Sequence, residues 1–182
     1  MIIAFSGYAK SGKDTAAEII KSEFPSFQIK KFSYKLKEIA SILTGLSADV
    51  FEKQSVKDSH ISGWNMTGRE MLQRIGTDAI RDGLHKDAWV MALFSDYHLT
   101  DKWIITDCRF PNEYEYVKDF GGMVFRIERP NVKPVNAHPS ETALDGYSFD
   151  ATIVNDGDIA TLKHNILSLV KQKINHESNS GI

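Results

Sequence analysis

The sequence predicts an α/β fold in which helices cover both faces of a parallel β-sheet. Short apolar runs such as 103–106, Trp-Ile-Ile-Thr, have the continuous hydrophobicity of strands that are buried on both faces. These runs alternate with longer segments whose apolar residues recur every three or four positions. Strands that alternate with helices in this way form parallel sheets joined by right-handed crossovers. A chain of 182 residues is long enough for one such domain and too short for two of typical size.

The individual elements follow from these patterns in chain order. Strands are expected at 1–5, 27–32, 103–106, 123–127 and 151–154. Helices are expected at about 16–24, 34–44 and 68–82, from Asp87, for about ten residues from Pro111, and at about 158–173. The polar segment 46–65 has no clear period, so we expect it to be irregular or to contain short helices.

The segment 68–82 carries a clear helix start signal. Thr67 and Glu70 predict a capping box, in which each side chain accepts a hydrogen bond from the other residue's backbone N–H. The apolar residues expected to face the core of this helix are Met71, Leu72, Ile75, Ala79 and Ile80. Trp89, in the helix that follows, has two interpretations, since it either packs in the core or stacks on a nucleotide base.

A glycine-rich turn, Gly-Tyr-Ala-Lys-Ser-Gly-Lys-Asp-Thr at 7–15, lies between the first strand and the first helix. The spacing G-x-x-x-x-G-K in this context predicts a phosphate-binding loop, in which backbone N–H groups and the helix N-terminus surround the phosphates. We expect Lys13 to reach the β- and γ-phosphates of a nucleotide. Asp14 stands where the motif usually has the Ser or Thr that holds magnesium, and Thr15 follows it, so both are candidate magnesium ligands.

Charged residues follow the carboxyl ends of the predicted strands, where ligands bind in parallel α/β folds. Arg109 comes after the third strand and Arg129 after the fourth, and we expect both to converge with the loop on phosphate oxygens. Asp107 either holds magnesium, caps the following helix, or does both. Glu113 either buttresses Arg109 or is a first-turn acid, and Arg69 is equally compatible with a phosphate contact and a surface charge.

Composition excludes several classes of function. A net charge of −2 argues against a broad basic surface for nucleic acid. The single cysteine, Cys108, excludes an internal disulfide framework, and the six histidines show no metal-ligand spacing. No apolar run is long enough to cross a membrane, and the N-terminus lacks the features of a signal peptide. These observations predict a soluble, cytoplasmic protein.

Several segments occur together in an order typical of one family. They are 7–15, 69–78 (R-E-M-L-Q-R-I-G-T-D), 87–90 (D-A-W-V), 107–113 (D-C-R-F-P-N-E), 126–130, 138–141 (H-P-S-E) and 155–157 (N-D-G). On these segments the chain resembles the phage-type deoxynucleoside monophosphate kinases, members of the nucleoside monophosphate kinase group. Asp14, which departs from the general loop motif, fits this family.

The resemblance implies a P-loop three-layer fold with a five-stranded parallel sheet in the order 2-3-1-4-5. It also implies a helical acceptor-binding region at 34–98 and a lid at 129–144, all within one kinase domain. The implied activity is transfer of the γ-phosphoryl group of ATP to a deoxynucleoside 5′-monophosphate, with ATP and Mg²⁺ as cofactors. The implied partners are small-molecule nucleotides rather than nucleic acid or membrane, and a homodimer is one oligomeric state left open. A phage-encoded member would act in the host cytoplasm.

The same resemblance distributes the site residues, in agreement with the positions argued above. Catalytic roles fall to Lys13, Asp107, Arg109 and Arg129. The ATP side comprises Gly7, Lys10, Ser11, Gly12, Lys13, Asp14, Thr15, Asn155 and Gly157. The acceptor side comprises Arg69, Glu70, Gln73, Thr77, Trp89, Asp107, Arg109 and Glu113. Candidate magnesium ligands are Asp14, Thr15 and Asp107.

Two alternatives stay open on the sequence alone. One is a kinase for another phosphorylated metabolite, such as phosphomevalonate or dephospho-coenzyme A, because phosphomevalonate kinases resemble this chain in the loop and in the Asp-x-Arg element. Trp89 and Gln73 suit a base and favour a nucleotide acceptor over these. The other is a non-catalytic nucleotide-binding switch, which needs the loop but not several convergent arginines.

Overall fold

The computed structural model describes residues 1–134 and 138–179. Its strands are β1 (Ile2–Ser6), β2 (Gln28–Lys30), β3 (Trp103–Ile105), β4 (Met123–Glu128) and β5 (Ala151–Val154). Its α-helices are α1 (Lys13–Glu23), α2 (Tyr34–Thr44), α3 (Gln54–Asp58), α4 (Gly68–Gln73), α5 (Ala88–Phe94), α6 (Pro111–Asp119), α7 (Pro139–Thr142) and α8 (Ile159–Asn179). The chain divides into two compact units, which are described separately below.

The first unit, Met1–Lys30 with His98–Ile182, is called the sheet unit. Its five strands are all parallel in the order β2-β3-β1-β4-β5, which confirms the expected α/β class and the implied order. Every residue of β1 is buried, because the strand lies in the middle of the sheet and both of its faces are covered. The strand boundaries agree with the sequence expectations to within a few residues.

The core of the sheet unit joins the central strands to two helices. Ile3 and Phe5 of β1 belong to one buried cluster with residues of the neighbouring strands, and Ile3 lies in register with Ile104 and Met123. The helices contribute Ala16, Ala17 and Ile20 of α1 and Leu162, Ile166 and Val170 of α8. Small residues on α1 bring this helix close to the sheet, and the end of β1 is thereby fixed next to the start of α1.

The second unit, Lys31–Tyr97, is called the helical unit. Helix α2 occupies the residues expected, and Gly45 ends it with a left-handed φ of 73°. The segment 46–65 contains a 3₁₀ turn at Ala48–Glu52 and the short helix α3, as its weak periodicity predicted. A small core of Ala40, Phe51, Ile61 and Met71 holds these pieces together.

The helix expected at 68–82 forms, but its second half differs from the prediction. The capping box of Thr67 and Glu70 starts α4 as predicted, and from Arg74 to Asp82 the chain continues as a π-helix. Hydrogen bonds of the i→i+5 type change the number of residues per turn, so the predicted apolar face drifts out of register. Ala79 is therefore exposed rather than in the core, whereas Gly76 and Arg81 are buried.

Two further observations concern the C-terminal half of the sheet unit. Helix α8 extends beyond the predicted residue 173 to Asn179. The segment 129–144, expected to be a lid, contains the short helix α7, and its residues 135–137 lie outside the described part of the chain.

Candidate phosphate-binding site

The loop at 7–15, called the phosphate loop, has a backbone that only glycine permits at two positions. Gly7 has a φ of +140° and Gly12 a φ of +114°. A Cβ at Gly7 would lie 2.4 Å from the Ile127 carbonyl oxygen, and one at Gly12 would lie 2.6 Å from Asn155 Nδ2. Both glycines are therefore required by close approach as well as by backbone angle, and the loop is packed tightly against β4 and the end of β5.

Lys13 begins α1 and its side chain turns back over the phosphate loop. Its Nζ donates hydrogen bonds of 2.7 Å to the carbonyl oxygens of Gly7 and Tyr8, and the residue is only 7% exposed. Burial, together with the nearby charge of Arg109, lowers the pKa of the Lys13 ammonium to about 8. Anionic phosphate oxygens placed here would favour the charged form, so the site is chemically suited to a polyphosphate.

Asn155 fixes the phosphate loop from the far edge of the sheet. Its Nδ2 donates a 2.8 Å hydrogen bond to the Ser11 carbonyl oxygen, just beyond the end of β5. The Ser11 hydroxyl is buried, and Ser11 N donates to the Tyr8 carbonyl oxygen at 3.2 Å. The sequence placed Asn155 at the adenine side, and the structure gives it a direct contact with the loop backbone.

Arg109 lies between two carboxylates that act on different parts of it. Glu113, which is buried, accepts hydrogen bonds from the backbone N–H groups of Arg109 (2.7 Å) and Phe110 (3.1 Å). The guanidinium Nη1 donates to the Ser140 carbonyl oxygen at 3.0 Å and to Glu141 Oε1 at 2.5 Å. Glu113 thus buttresses the turn after β3, as the sequence suggested, while Glu141 holds the guanidinium.

Glu141 is a carboxylate that the sequence did not place among the site residues. Burial raises its pKa, but the charge and hydrogen bond of Arg109, the nearby Ala9 N–H and the charge of Lys13 outweigh burial and leave the pKa below its usual value. The group is therefore an ionised carboxylate beside two cations. The sequence analysis placed Glu141 in the H-P-S-E segment and in the expected lid at 129–144, but nothing local linked it to Arg109.

The arginine of β4 that reaches the phosphate loop is Arg126. Its Nη1 donates to Ser6 Oγ at 3.3 Å, its Nη2 donates to Asp145 Oδ1 at 2.8 Å, and its guanidinium lies 4.9 Å from the Tyr8 ring centre. Arg129, selected from the sequence, follows β4 and is exposed. The sequence signal that could have identified Arg126 is its position inside the apolar run Met-Val-Phe-Arg-Ile. A charged residue is rarely buried in such a run unless its charge is paired.

Tyr8 of the phosphate loop is held by the same acid as Arg126. Its hydroxyl donates a 2.8 Å hydrogen bond to Asp145 Oδ2, which is the main cause of the raised pKa of the phenol. Tyr8, which stands at a variable position of the loop motif, is thereby hydrogen-bonded to the segment that follows α7.

The oxygen donors near the start of α1 suit magnesium. Asp14 and Thr15 are exposed in the first turn of α1, and Asp107 is half-buried just after β3. Within residues 1–134 and 138–179, no three His, Cys, Asp or Glu side chains are grouped as a self-sufficient metal site. Magnesium bound with phosphates needs only one or two protein carboxylates, so this donor set fits that ion.

Five of the eight residues predicted for the acceptor side belong to the helical unit, namely Arg69, Glu70, Gln73, Thr77 and Trp89, and the other three belong to the sheet unit. Arg69 Nη2 donates to Asp58 Oδ1 at 2.9 Å, and Glu70 Oε2 accepts from Thr67 within the capping box. Gln73 and Thr77 are half-buried.

Trp89 is 7% exposed and anchors the π-helix. Its Nε1 donates to the Gly76 carbonyl oxygen at 2.7 Å, which supports the core interpretation of this residue. A base-stacking role for it stays a prediction.

The comparisons with known proteins identify the family. A family model described as deoxynucleotide monophosphate kinase matches residues 35–166. The chain belongs to the deoxynucleotide monophosphate kinase family. A relative in Acanthamoeba polyphaga mimivirus, named for the same family, is 32% identical over 93% of this chain and 96% of its own length. The phosphate loop lies outside 35–166, so the match to the family model does not depend on the loop residues.

Two phage proteins of this family are also similar. The deoxynucleotide monophosphate kinase of Enterobacteria phage T4 is 29% identical over 57% of this chain and 45% of its own length. The deoxynucleoside-5′-monophosphate kinase of Escherichia phage T5 is 21% identical over 87% of this chain and 90% of its own length. Among the described residues of this family member, no helix is long and apolar enough to span a membrane.

Proposed function

We propose that this protein transfers the γ-phosphoryl group of ATP to the phosphate of a deoxynucleoside 5′-monophosphate, giving ADP and a deoxynucleoside diphosphate. The observation that carries the proposal is a phosphate loop with a buried lysine, Lys13, in a chain of which residues 35–166 match the deoxynucleotide monophosphate kinase family. The loop residues 7–15 lie outside that match and support the same chemistry in addition to it. The class of acceptor is inferred from the family, and the phosphoryl donor is inferred from the phosphate loop.

The ATP phosphates would bind in the phosphate loop, where N–H groups and Lys13 replace the water that solvates them. Gly7, Lys10, Ser11, Gly12, Lys13, Asp14 and Thr15 form this side, with Asn155 and Gly157 toward the adenine. Asp14, Thr15 and Asp107 would hold Mg²⁺, which when bound neutralises charge on the β- and γ-phosphates. Asn155 would act on the loop itself, because its amide already holds the Ser11 carbonyl oxygen.

Phosphoryl transfer depends on positioning and on positive charge around the transferred group more than on covalent chemistry. Lys13 and Arg109 would supply that charge, since Arg109 presents a planar fork that can hold two phosphate oxygens. Arg129 would contribute from the exposed segment after β4. Arg126 is committed to Asp145 and Ser6, so we assign it to holding the loop.

We assign the acceptor nucleotide to the eight residues that the family resemblance implies. These residues are Arg69, Glu70, Gln73, Thr77, Trp89, Asp107, Arg109 and Glu113. Arg69 would exchange Asp58 for the acceptor phosphate, and Glu113 would act by fixing the backbone of Arg109. The segment 129–144 would close over the nucleotides and exclude water, as lids in such transferases do.

The test measures ADP production from ATP and Mg²⁺ with each common deoxyribonucleoside and ribonucleoside monophosphate offered singly. We expect turnover with one or more deoxynucleotides. ATP binding without turnover on any nucleotide would contradict the proposal. Turnover on phosphomevalonate or dephospho-coenzyme A would then favour a metabolite kinase, and ATP binding without transfer to any acceptor would favour a nucleotide-binding switch.

A further inference from the structure

We propose that Glu141 is a positioning residue that occupies Nη1 of Arg109 and thereby directs the Nε and Nη2 edge of the guanidinium toward phosphate oxygens. The inference rests on the proposed function, because it concerns how Arg109 meets the phosphates of that reaction. It adds a residue to the site that neither the loop motif nor the strand-end argument selects.

The first support is the distribution of hydrogen bonds on the guanidinium. Nη1 carries two N–H groups, and both are used, one on the Ser140 carbonyl oxygen and one on Glu141 Oε1. Among the described residues, Nε and Nη2 of Arg109 make no hydrogen bond. The side chain is 31% exposed, so the remaining edge is open to a ligand. Two parallel N–H groups on one edge are the geometry that binds phosphate bidentately.

The second support is that Glu141 is itself held firmly. Its side chain is only 5% exposed, and the Ala9 N–H of the phosphate loop lies close enough to lower the pKa of the carboxyl group. His138 Nδ1 accepts from Ser140 N at 3.2 Å, and Glu141 N donates to the His138 carbonyl oxygen at 2.9 Å, which caps α7. A buried carboxylate on a capped helical turn is restrained and can restrain its partner, whereas a mobile one could not.

The third support is that Arg109 is restrained at both ends. Glu113 binds its backbone N–H and Glu141 binds its guanidinium, so the long side chain between them has little freedom left. Fixing such a side chain before the substrate arrives avoids an entropic cost at the moment of binding. Glu141 also places a negative charge beside Lys13 and Arg109, which keeps these two cations together while no polyphosphate is bound.

The test is a double-mutant cycle on Glu141 and Arg109, with kcat and KM measured for both nucleotides. Glu141→Gln keeps an oxygen that can accept from Nη1 and should lower kcat by about tenfold, and Glu141→Ala should lower it by about a hundredfold. The second substitution in each cycle is Arg109→Ala. In that background, Glu141→Gln should have no further effect, because Glu141 acts through Arg109. If Glu141→Gln lowered kcat by the same factor in the wild-type and Arg109→Ala backgrounds, the inference would be overturned.

Two controls separate positioning from folding. The ion pair of Lys118 with Asp150 lies in the same unit away from the loop, so Lys118→Ala should leave kcat unchanged. Melting temperatures of the Glu141→Gln and wild-type proteins should agree within about 4 °C, the shift that a loss of about 1 kcal/mol produces in a chain of this size. A kcat loss that appears only with a matching loss of melting temperature would reduce Glu141 to a structural role and overturn the inference.

The failure of this inference can be distinguished from failure of the proposed function. If the wild-type enzyme phosphorylates deoxynucleotides and Glu141→Gln is equally active, only the positioning role is wrong. If the wild type is inactive, the affinity of the same four proteins for diadenosine pentaphosphate is measured instead of kcat. The phosphate chain of this probe can span both phosphate sites, so the measurement does not require a known acceptor. A loss of at least about fivefold for Glu141→Gln that disappears in the Arg109→Ala background supports positioning, and an unchanged affinity overturns it.

Discussion

The phosphate loop and the helical unit hold their candidate binding residues in different ways. Around the loop the supporting contacts join distant parts of the chain, as with Asn155 and Ser11, 144 positions apart, or Glu141 and Arg109, 32 positions apart. In the helical unit, Glu70 is held by Thr67 three positions away. The geometry of the phosphate site therefore depends on the assembled sheet unit, whereas the start of α4 is set by neighbouring residues.

The two regions also differ in how their cations are solvated. Lys13 is buried among carbonyl oxygens beside a second cation, whereas Arg69 pairs with Asp58, which is largely exposed. Charge in a desolvated site acts more strongly on a ligand than charge in water. Substitutions at the loop should therefore have large effects on catalysis, and substitutions at the cap of α4 should act mainly on stability.

The largest effect is expected for Lys13→Met. Removing the ammonium from the transferred phosphate should lower kcat by about a hundredfold or more. The folded protein should keep its melting temperature, because a buried ammonium with a lowered pKa is unfavourable to folding near neutral pH. Coupled measurement of ADP production and thermal unfolding tests both parts. Lys171→Met, an exposed lysine of α8, is the matched control, and near-normal turnover by folded Lys13→Met would refute the role.

The second-largest effect is expected for Gly12→Ala, because the side chain of Asn155 lies close to Gly12. Gly12→Ala places a Cβ 2.6 Å from Asn155 Nδ2, whereas Gly45→Ala, also at positive φ, meets nothing within 4 Å. Both should lose about 1 kcal/mol from backbone strain, and Gly12→Ala should lose about 1–3 kcal/mol more, together with ATP affinity. Urea denaturation and calorimetric titration with ATP measure the two quantities. Equal destabilisation of the two variants would show that Asn155 does not pack against the loop.

These differences explain what the sequence could predict. The P-loop, the strands and the capping box are encoded by residues close to one another, and the structure confirms each of them. The contacts of Glu141 and Asp145 depend on how a late segment returns to the loop, and no local pattern encodes that return. The π-helix was missed for a related reason, because an i→i+5 turn leaves the same apolar residues in the sequence but turns them to different faces.

Arg126 and Arg129 show which contacts of β4 a sequence pattern leaves out. Selecting an arginine just after β4 gives Arg129, which the structure leaves exposed because the strand runs through Glu128. Arg126, three residues earlier, is buried and bound to Asp145. The strand itself was predicted correctly. The two arginines are distinguished by the contact of Arg126 with Asp145, which lies in a later segment of the chain.

A smaller effect is expected at the start of α4. Thr67→Ala removes the side-chain oxygen that accepts from the Glu70 N–H, and the loss of an N-cap costs about 1 kcal/mol of stability. ATP affinity should be unchanged within about twofold, since the cap lies in the helical unit. Urea denaturation and ATP titration of the variant measure both. Thr67→Ser, which keeps the hydroxyl, should retain most of the stability, and a large loss of ATP affinity in Thr67→Ala would contradict local control of this region.

The smallest effect is the pH dependence of the ion pair between Glu141 and Arg109. The pKa of Glu141 is lower in the folded protein than in the unfolded chain. The ion pair therefore stabilises the fold at pH values above the ordinary carboxyl pKa of 4.5, and this contribution is lost as the pH falls through the pKa of Glu141 in the folded protein. Since Arg109 is partly exposed, the contribution at pH 7 should be no more than about 1 kcal/mol. The difference in the free energy of unfolding between wild type and Glu141→Gln should therefore be present at pH 7 and shrink roughly between pH 5 and pH 3. Urea denaturation of both proteins at each pH tests this, and a difference that stays constant or grows as pH falls would show that the Glu141 carboxylate is not stabilised in its charged form by Arg109.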